Sequence, residues 1–244
     1  FCDKKWIENS QNQKSNIFIY PTDQTFGNSD FIEVMQKRYY DPTYPLGFIE
    51  PKGALIKRSI IIDNNLIFEE KLRYLEDEIF MWNILAFIKT ARYIRKQLYS
   101  YHVYPNVKTA LSEGLNRGFK ISNFKLAKSH IENGLKKRGF PVQQIDKLAD
   151  QAFIYFIISA LISCSRSMIL GKMELENGIK IRRKIIDGIF ADPDVSKAIQ
   201  KYSRSQKESS WIPRAIAWRS RKLLEFACTR RAKEILRIRR KGKV

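Results

Sequence analysis

The sequence predicts an α/β region followed by an all-α region, and three observations carry that division. In the first hundred residues, alternating and β-branched or aromatic runs are interleaved with segments of helical period. Past residue 110 no strand signal of any strength remains. The charge divides at the same place: residues 1–102 hold 14 Lys and Arg against 13 Asp and Glu, whereas the remaining 142 hold 31 against 12, which is nearly all of the net +20. Two domains are expected, 1–110 and 111–244.

Each element has its own signal. Ile17-Phe18-Ile19-Tyr20, stopped by Pro21, reads as a strand, and the polar segment to Asp30 as a loop. Phe31 to Tyr40 suits a short helix, and Asp41 to Gly47, with two prolines, is loop chemistry. Ile60-Ile61-Ile62 is a short β-branched run closed by the turn residues Asp63-Asn64-Asn65. Phe80, Met81, Ile84, Leu85 and Ile88 recur at helical spacing behind Glu76, Asp77 and Glu78, acids placed where the helix dipole favours negative charge. Gln97 to Val103 alternates as a strand. Helices are then expected over 124–138, closed by Gly139; through Phe153–Ile158, apolar nearly all round; over 173–190; over 195–202, capped by Asp192 with Pro193 in the first turn; and from Pro213.

Composition bounds the class. At 244 residues, 44% apolar, with 11 Gly and 8 Pro, the chain can bury a core and is neither disordered nor fibrous. Cys2, Cys164 and Cys228 form no C-x-x-C pair and leave one over, so neither a disulfide framework nor a thiolate zinc site is suggested, and a reducing compartment fits best. The most apolar stretch, Ala152 to Cys164, is 13 residues long and ends before Arg166, so no spanning helix is expected against the roughly 20 residues a bilayer needs. The opening on Phe1, with no basic-then-apolar leader, reads as a piece of a longer chain.

The sharpest motifs are Lys52-Gly53-Ala54-Leu55-Ile56-Lys57-Arg58, then Leu66-Ile67-Phe68-Glu69-Glu70, then Leu75-Glu76-Asp77-Glu78-Ile79-Phe80, and the strand Leu98-Tyr99-Ser100-Tyr101-His102. Over residues 40–105 this order resembles the second half of a family 2 glycosyltransferase catalytic domain of the GT-A fold, a Rossmann-like mixed sheet: a glycine loop, an F-x-E turn, an E-D at a helix start and a tyrosine strand. The segment from Ser122 to Val244 looks like the helical extension of bacterial transferases that build capsule, lipopolysaccharide or other surface glycans.

The resemblance implies an inverting transfer of sugar from a nucleotide-sugar donor to a glycan or lipid-linked acceptor. Asp77 would be the base that takes the acceptor hydroxyl proton, with Glu76 orienting the site or contacting acceptor and Glu78 a solvated first-turn acid. From spacing alone, Asp77 reads equally well as a helix cap. Gly47, Gly53, Lys57 and Arg58 form the donor and acceptor loop, although two glycines among prolines also make an ordinary turn. His102 takes the place of a ligand to a divalent metal on the diphosphate, Mn²⁺ suiting its imidazole better than Mg²⁺, or else is a strand histidine bonded to its neighbours; His130 reads as plain surface.

The family's donor-binding half, with its P-x-Y-N strand and the D-x-D that carries most of the metal, is expected to be missing. The one literal Asp-x-Asp, Asp192-Pro193-Asp194, reads as a cap. The isolated fragment is therefore expected neither to bind donor tightly nor to be active alone; without the processive Q-x-x-R-W, and with Met81-Trp82 read as packing, transfer of single residues is expected rather than polymerisation.

Residues 211–244 hold 12 basic and 2 acidic residues. Ile216, Leu223, Leu224, Ala227, Ile235 and Leu236 make an interrupted apolar stripe beside Trp211, Trp218, Arg219, Arg221, Lys222, Arg230 and Arg231. That pattern reads as a segment lying on an anionic membrane, each cation worth roughly 1 kcal/mol; the resemblance implies that this membrane is the bacterial cell membrane, met from its cytoplasmic face. A solvated helix packed by one edge is the plainer alternative. Two rivals from other classes are a basic helical nucleic-acid-binding protein, disfavoured because no module pattern is present, and a non-catalytic membrane-surface adaptor.

Overall fold

The structure is a computed structural model and describes residues 1–8, 19–41, 51–72, 74–103, 120–205 and 208–241. It contains a small three-stranded mixed sheet and is otherwise mostly helical. Two compact units divide the chain: Phe1–Val107 with His130–Ile145, and Lys108–Ser129 with Asp146–Val244.

The first unit holds the sheet. β3 (Ala91–Val103) is central, with β1 (Cys2–Glu8) parallel on one side and the short β2 (Gln24–Phe26) antiparallel on the other. β1 slips register twice, between Cys2, Asp3 and Lys4, before running straight from Lys4 opposite Tyr99 to Glu8 opposite Val103. At the slip, the buried Asp3 carboxylate accepts from the Tyr93 hydroxyl and from the Ile19 amide at 3.0 Å. Burial, together with that bond, pushes the Tyr93 hydroxyl up to about 12. The rings of Phe1 and Tyr20 pack on Tyr93 at 5.2 and 5.1 Å, closing this side of the core.

α1 (Asn28–Lys37) starts on Gly27, whose amide donates to Asp30 Oδ2 at 2.7 Å, and buries Phe31, Val34 and Met35 at helical spacing. α2 (Arg58–Asp63) takes in Ile60-Ile61-Ile62, so that β-branched run is helix rather than strand. α3 (Glu76–Leu85) buries Ile79, Phe80, Met81, Trp82, Ile84 and Leu85, which wrap most of its circumference. Trp82 is fully buried and donates its indole N–H to the Ile131 carbonyl at 3.3 Å. This contact needs Gly134 on α4 (Ile121–Lys137): a Cβ there would lie 2.7 Å from Trp82 Nε1. Gly139, at φ 85°, ends the helix, and the Phe140 and Gly139 amides satisfy the Leu135 and Lys136 carbonyls at 3.1 and 3.0 Å.

The second unit is helical in its described residues. α5 (Val142–Ile169) is its axis, with Ala149, Ala152, Phe153, Phe156, Ile157, Ala160, Leu161 and Cys164 fully buried. At 28 residues, with an 18-residue window of mean hydropathy 1.7, it is long and apolar enough to cross a membrane, contrary to the reading from the 13-residue stretch, because the helix extends beyond that stretch on both sides. Most of its apolar window, 61%, is buried inside the fold, as in a core helix. α6 (Leu175–Ala191) sends the buried Arg182 to Thr229 Oγ1 at 3.0 Å and Ser165 Oγ at 3.4 Å. Asp192 caps α7 (Pro193–Ile199), accepting from the amides of Asp194 and Val195 at 2.9 and 3.3 Å.

The basic terminus is two helices rather than one, α8 (Trp211–Ala217) and α9 (Arg221–Lys241). Arg219 breaks them at φ 52°, with Ser220 N–H bonded to Ala215 O and Arg219 N–H to Ile216 O, both at 3.0 Å. The strand reading of the first unit also changes. Ile17 and Phe18 lie outside the described residues and Ile19-Tyr20 form a bend, while β1 falls where no element was expected and β2 in the polar segment read as a loop.

Candidate active site

Within the first unit, a cavity of about 610 Å³ lies between the 51–55 loop, the start of β1, the middle of β3 and the start of α3. Its charged walls are Lys52 and Asp77, and Gly53, Leu55, Leu98 and Tyr99 line the rest with others. Gly53 holds the loop against β1. Its φ is 81°, its carbonyl accepts from the Cys2 amide at 3.1 Å, and a Cβ would meet Cys2 O at 3.3 Å and Tyr99 Cβ at 3.5 Å. The turn is therefore what this glycine is needed for. Gly47 lies outside the described residues.

α3 begins unusually. Its cap position is Leu75, left-handed at φ 72° and without a side-chain capping bond, so Asp77 stands in the first turn and is not the cap. Asp77 Oδ2 is 3.4 Å from Lys52 Nζ, each side chain about two-fifths exposed at the cavity wall. Glu76 is half-buried beside it and does not line the cavity. Glu78 is not solvated: it pairs with Arg38 at 3.1 Å, the two side chains 16% and 6% exposed, tying this turn to the residue that follows α1.

The other expected site residues spread out. Lys57 precedes α2 and Arg58 opens it; both are exposed and neither lines the cavity. His102 faces Ile7 in the β1–β3 register with its side chain exposed. Among the described residues no three His, Cys, Asp or Glu side chains cluster as a metal site, so those present do not form one around His102. Phe68 stacks on Phe80 with ring centroids 4.0 Å apart.

Sequence reading missed a second cavity of about 250 Å³, lined by Asn64, Asn65, Asn83, Asn133 and His130. His130 is not plain surface. Its Nε2 lies 3.3 Å from Glu69 Oε2 and its Nδ1 3.4 Å from the Asn83 amide, a set that suits Nδ1 accepting and Nε2 donating. The Lys71 amide on Glu69, and then His130, hold the Glu69 carboxyl below its usual range.

In the basic terminus, Trp211, Trp218, Arg219, Arg221, Lys222 and Arg230 are exposed, but not all are available. Arg219 donates to the Phe190 carbonyl, Arg221 pairs with Asp187, and Arg231 with Glu234 at 2.8 Å. The expected apolar stripe packs inward, with Ile216, Leu224 and Ala227 buried and Leu223, Ile235 and Leu236 half-buried.

Comparison of the chain with protein-family models, curated proteins and solved structures gives no match.

Proposed function

We propose that the chain belongs to the catalytic region of an inverting family 2 glycosyltransferase of the GT-A fold, moving single sugars from a nucleotide sugar to a lipid-linked surface glycan at the cytoplasmic face of a bacterial membrane. One observation carries the reading. Asp77, from the motif that resembles the family's E-D, lies on the wall of a cavity of about 610 Å³, beside a cation and at a helix start. The chemistry asks little more of the protein. The acceptor oxygen attacks the anomeric carbon, its proton passes to an Asp77 oxygen, and the bond to the nucleoside diphosphate breaks with its electron pair leaving on phosphate. Lys52 holds the carboxylate toward the cavity, and the Glu78–Arg38 pair anchors the turn that carries it. A divalent metal would neutralise the departing diphosphate; no step here is assigned to it.

In the whole protein that carries this sequence, Asp77→Asn is expected to lower transfer roughly 10²- to 10⁴-fold while leaving donor binding nearly intact. A variant that keeps more than half the parent activity refutes the assignment.

A further inference from the structure

We infer that the outer face of α9 is a docking surface for an anionic lipid bilayer, which deepens the membrane reading above by naming the side chains that make the contact. The surface differs from the stripe that the sequence suggests. Leu224, Ala227, Cys228 and Ala232, none more than 3% exposed, face the protein. On the opposite side Lys222, Phe226, Arg230, Lys233 and Arg237 are all exposed and, at 3.6 residues per turn, fall within about 80° of arc along roughly 22 Å of helix. Among the described residues, none of these four cations is in an ion pair. They contrast with Arg219, Arg221 and Arg231, whose guanidinium groups are already engaged.

Apolar groups lie beside them. Trp211, Phe226 and Ile238 are 45%, 63% and 60% exposed and, with Arg230, line a groove of about 550 Å³. Each of the groove's two acids has a partner: Glu234, itself exposed, pairs with Arg231, and the half-buried Glu208 accepts from the Tyr202 hydroxyl and the Ser205 amide. Beyond that paired acid, what faces outward is cationic and apolar together. A bilayer surface meets both needs at once, phosphate for the cations and interfacial depth for an indole, a phenyl ring and an aliphatic chain. Nucleic acid would use the cations and leave Ile238 in water.

The test is sedimentation of the full chain with vesicles of phosphatidylcholine alone or mixed with phosphatidylglycerol. Binding is expected to the mixed vesicles only and to weaken with salt. Arg230→Gln with Lys233→Gln should lower the affinity roughly 25-fold, about five-fold per cation. Phe226→Ser with Ile238→Ser should also weaken it, but leave the salt dependence unchanged. All four side chains are exposed, so circular dichroism should match the parent. Equal binding by parent and both variants overturns the inference, as does equal binding to neutral vesicles. Binding to RNA that the Gln variant loses, with no vesicle binding, overturns it in favour of nucleic acid. The assay contains no nucleotide sugar, so its outcome is independent of whether Asp77 is a base.

Discussion

The Arg38–Glu78 pair gives the most quantitative check on how the candidate site is held. Glu78→Gln keeps the shape of the side chain but strips Arg38 of its charge partner at a place where only 6% of the Arg38 side chain meets water. Removing one member of a pair buried this far typically costs about 3–5 kcal/mol, because an uncompensated charge stays behind. The face of the Tyr39 ring, 5.2 Å from the guanidinium carbon, stays as a partner for the remaining charge, so the lower end, about 3 kcal/mol, is the expected loss. Arg38→Met combined with Glu78→Met removes both charges and keeps most of the volume, and should return to within about 1 kcal/mol of the parent. The assay is urea unfolding of the parent, Arg38→Met, Glu78→Met and the double variant, read as a double-mutant cycle, with Glu78→Gln measured beside them. If the double variant is as unstable as the single one, or if Glu78→Gln lies within about 0.5 kcal/mol of the parent, the pair is a surface contact and does not anchor the turn bearing Asp77.

Two further perturbations separate packing from backbone and charge. Gly134→Ala should destabilise by about 1–2 kcal/mol in thermal unfolding, since the new methyl meets the rigid, buried Trp82 indole and outweighs the gain in helix propensity; it should also shift Trp82 fluorescence, whereas Gly139→Ala, with open space around its Cβ, should cost about 1 kcal/mol through its positive φ alone and leave that fluorescence unchanged. Burial raises the Glu208 carboxyl above its ordinary value, so its contribution to stability is complete at acid pH and is lost as pH rises from that ordinary value through the raised one; Glu208→Gln should remove this decline from a pH series of unfolding midpoints.

How much of this was legible in the sequence depends on how many residues repeat a signal. α1, α3, α4 and α5 each bury apolar side chains over two or more turns, and their positions follow from spacing. β3 is legible from Gln97 onward, where tyrosines alternate, but not over Ala91–Lys96, where Arg92, Arg95 and Lys96 mask the period. β1 contains Lys4-Lys5 and begins with two register slips, and β2 has three residues, too few for any period. Ile60-Ile61-Ile62 misleads because β-branched composition is a weak preference that a six-residue helix can override.

The site shows the same limit more sharply. Acids at 76–78 were visible as a helix start, but their separate fates were not, since they depend on what each faces in the fold: Lys52 for Asp77, Arg38 for Glu78. Nor does any local pattern announce Leu75 in a left-handed conformation, where a branched side chain costs roughly 1–2 kcal/mol and glycine is the usual choice. That strain sits one residue before the Glu-Asp pair. A relaxed cap would bring the chain into α3 at a different angle. Leu75 therefore marks a place where local preference yields to the placement of the first turn, which is where a catalytic carboxylate would need its support.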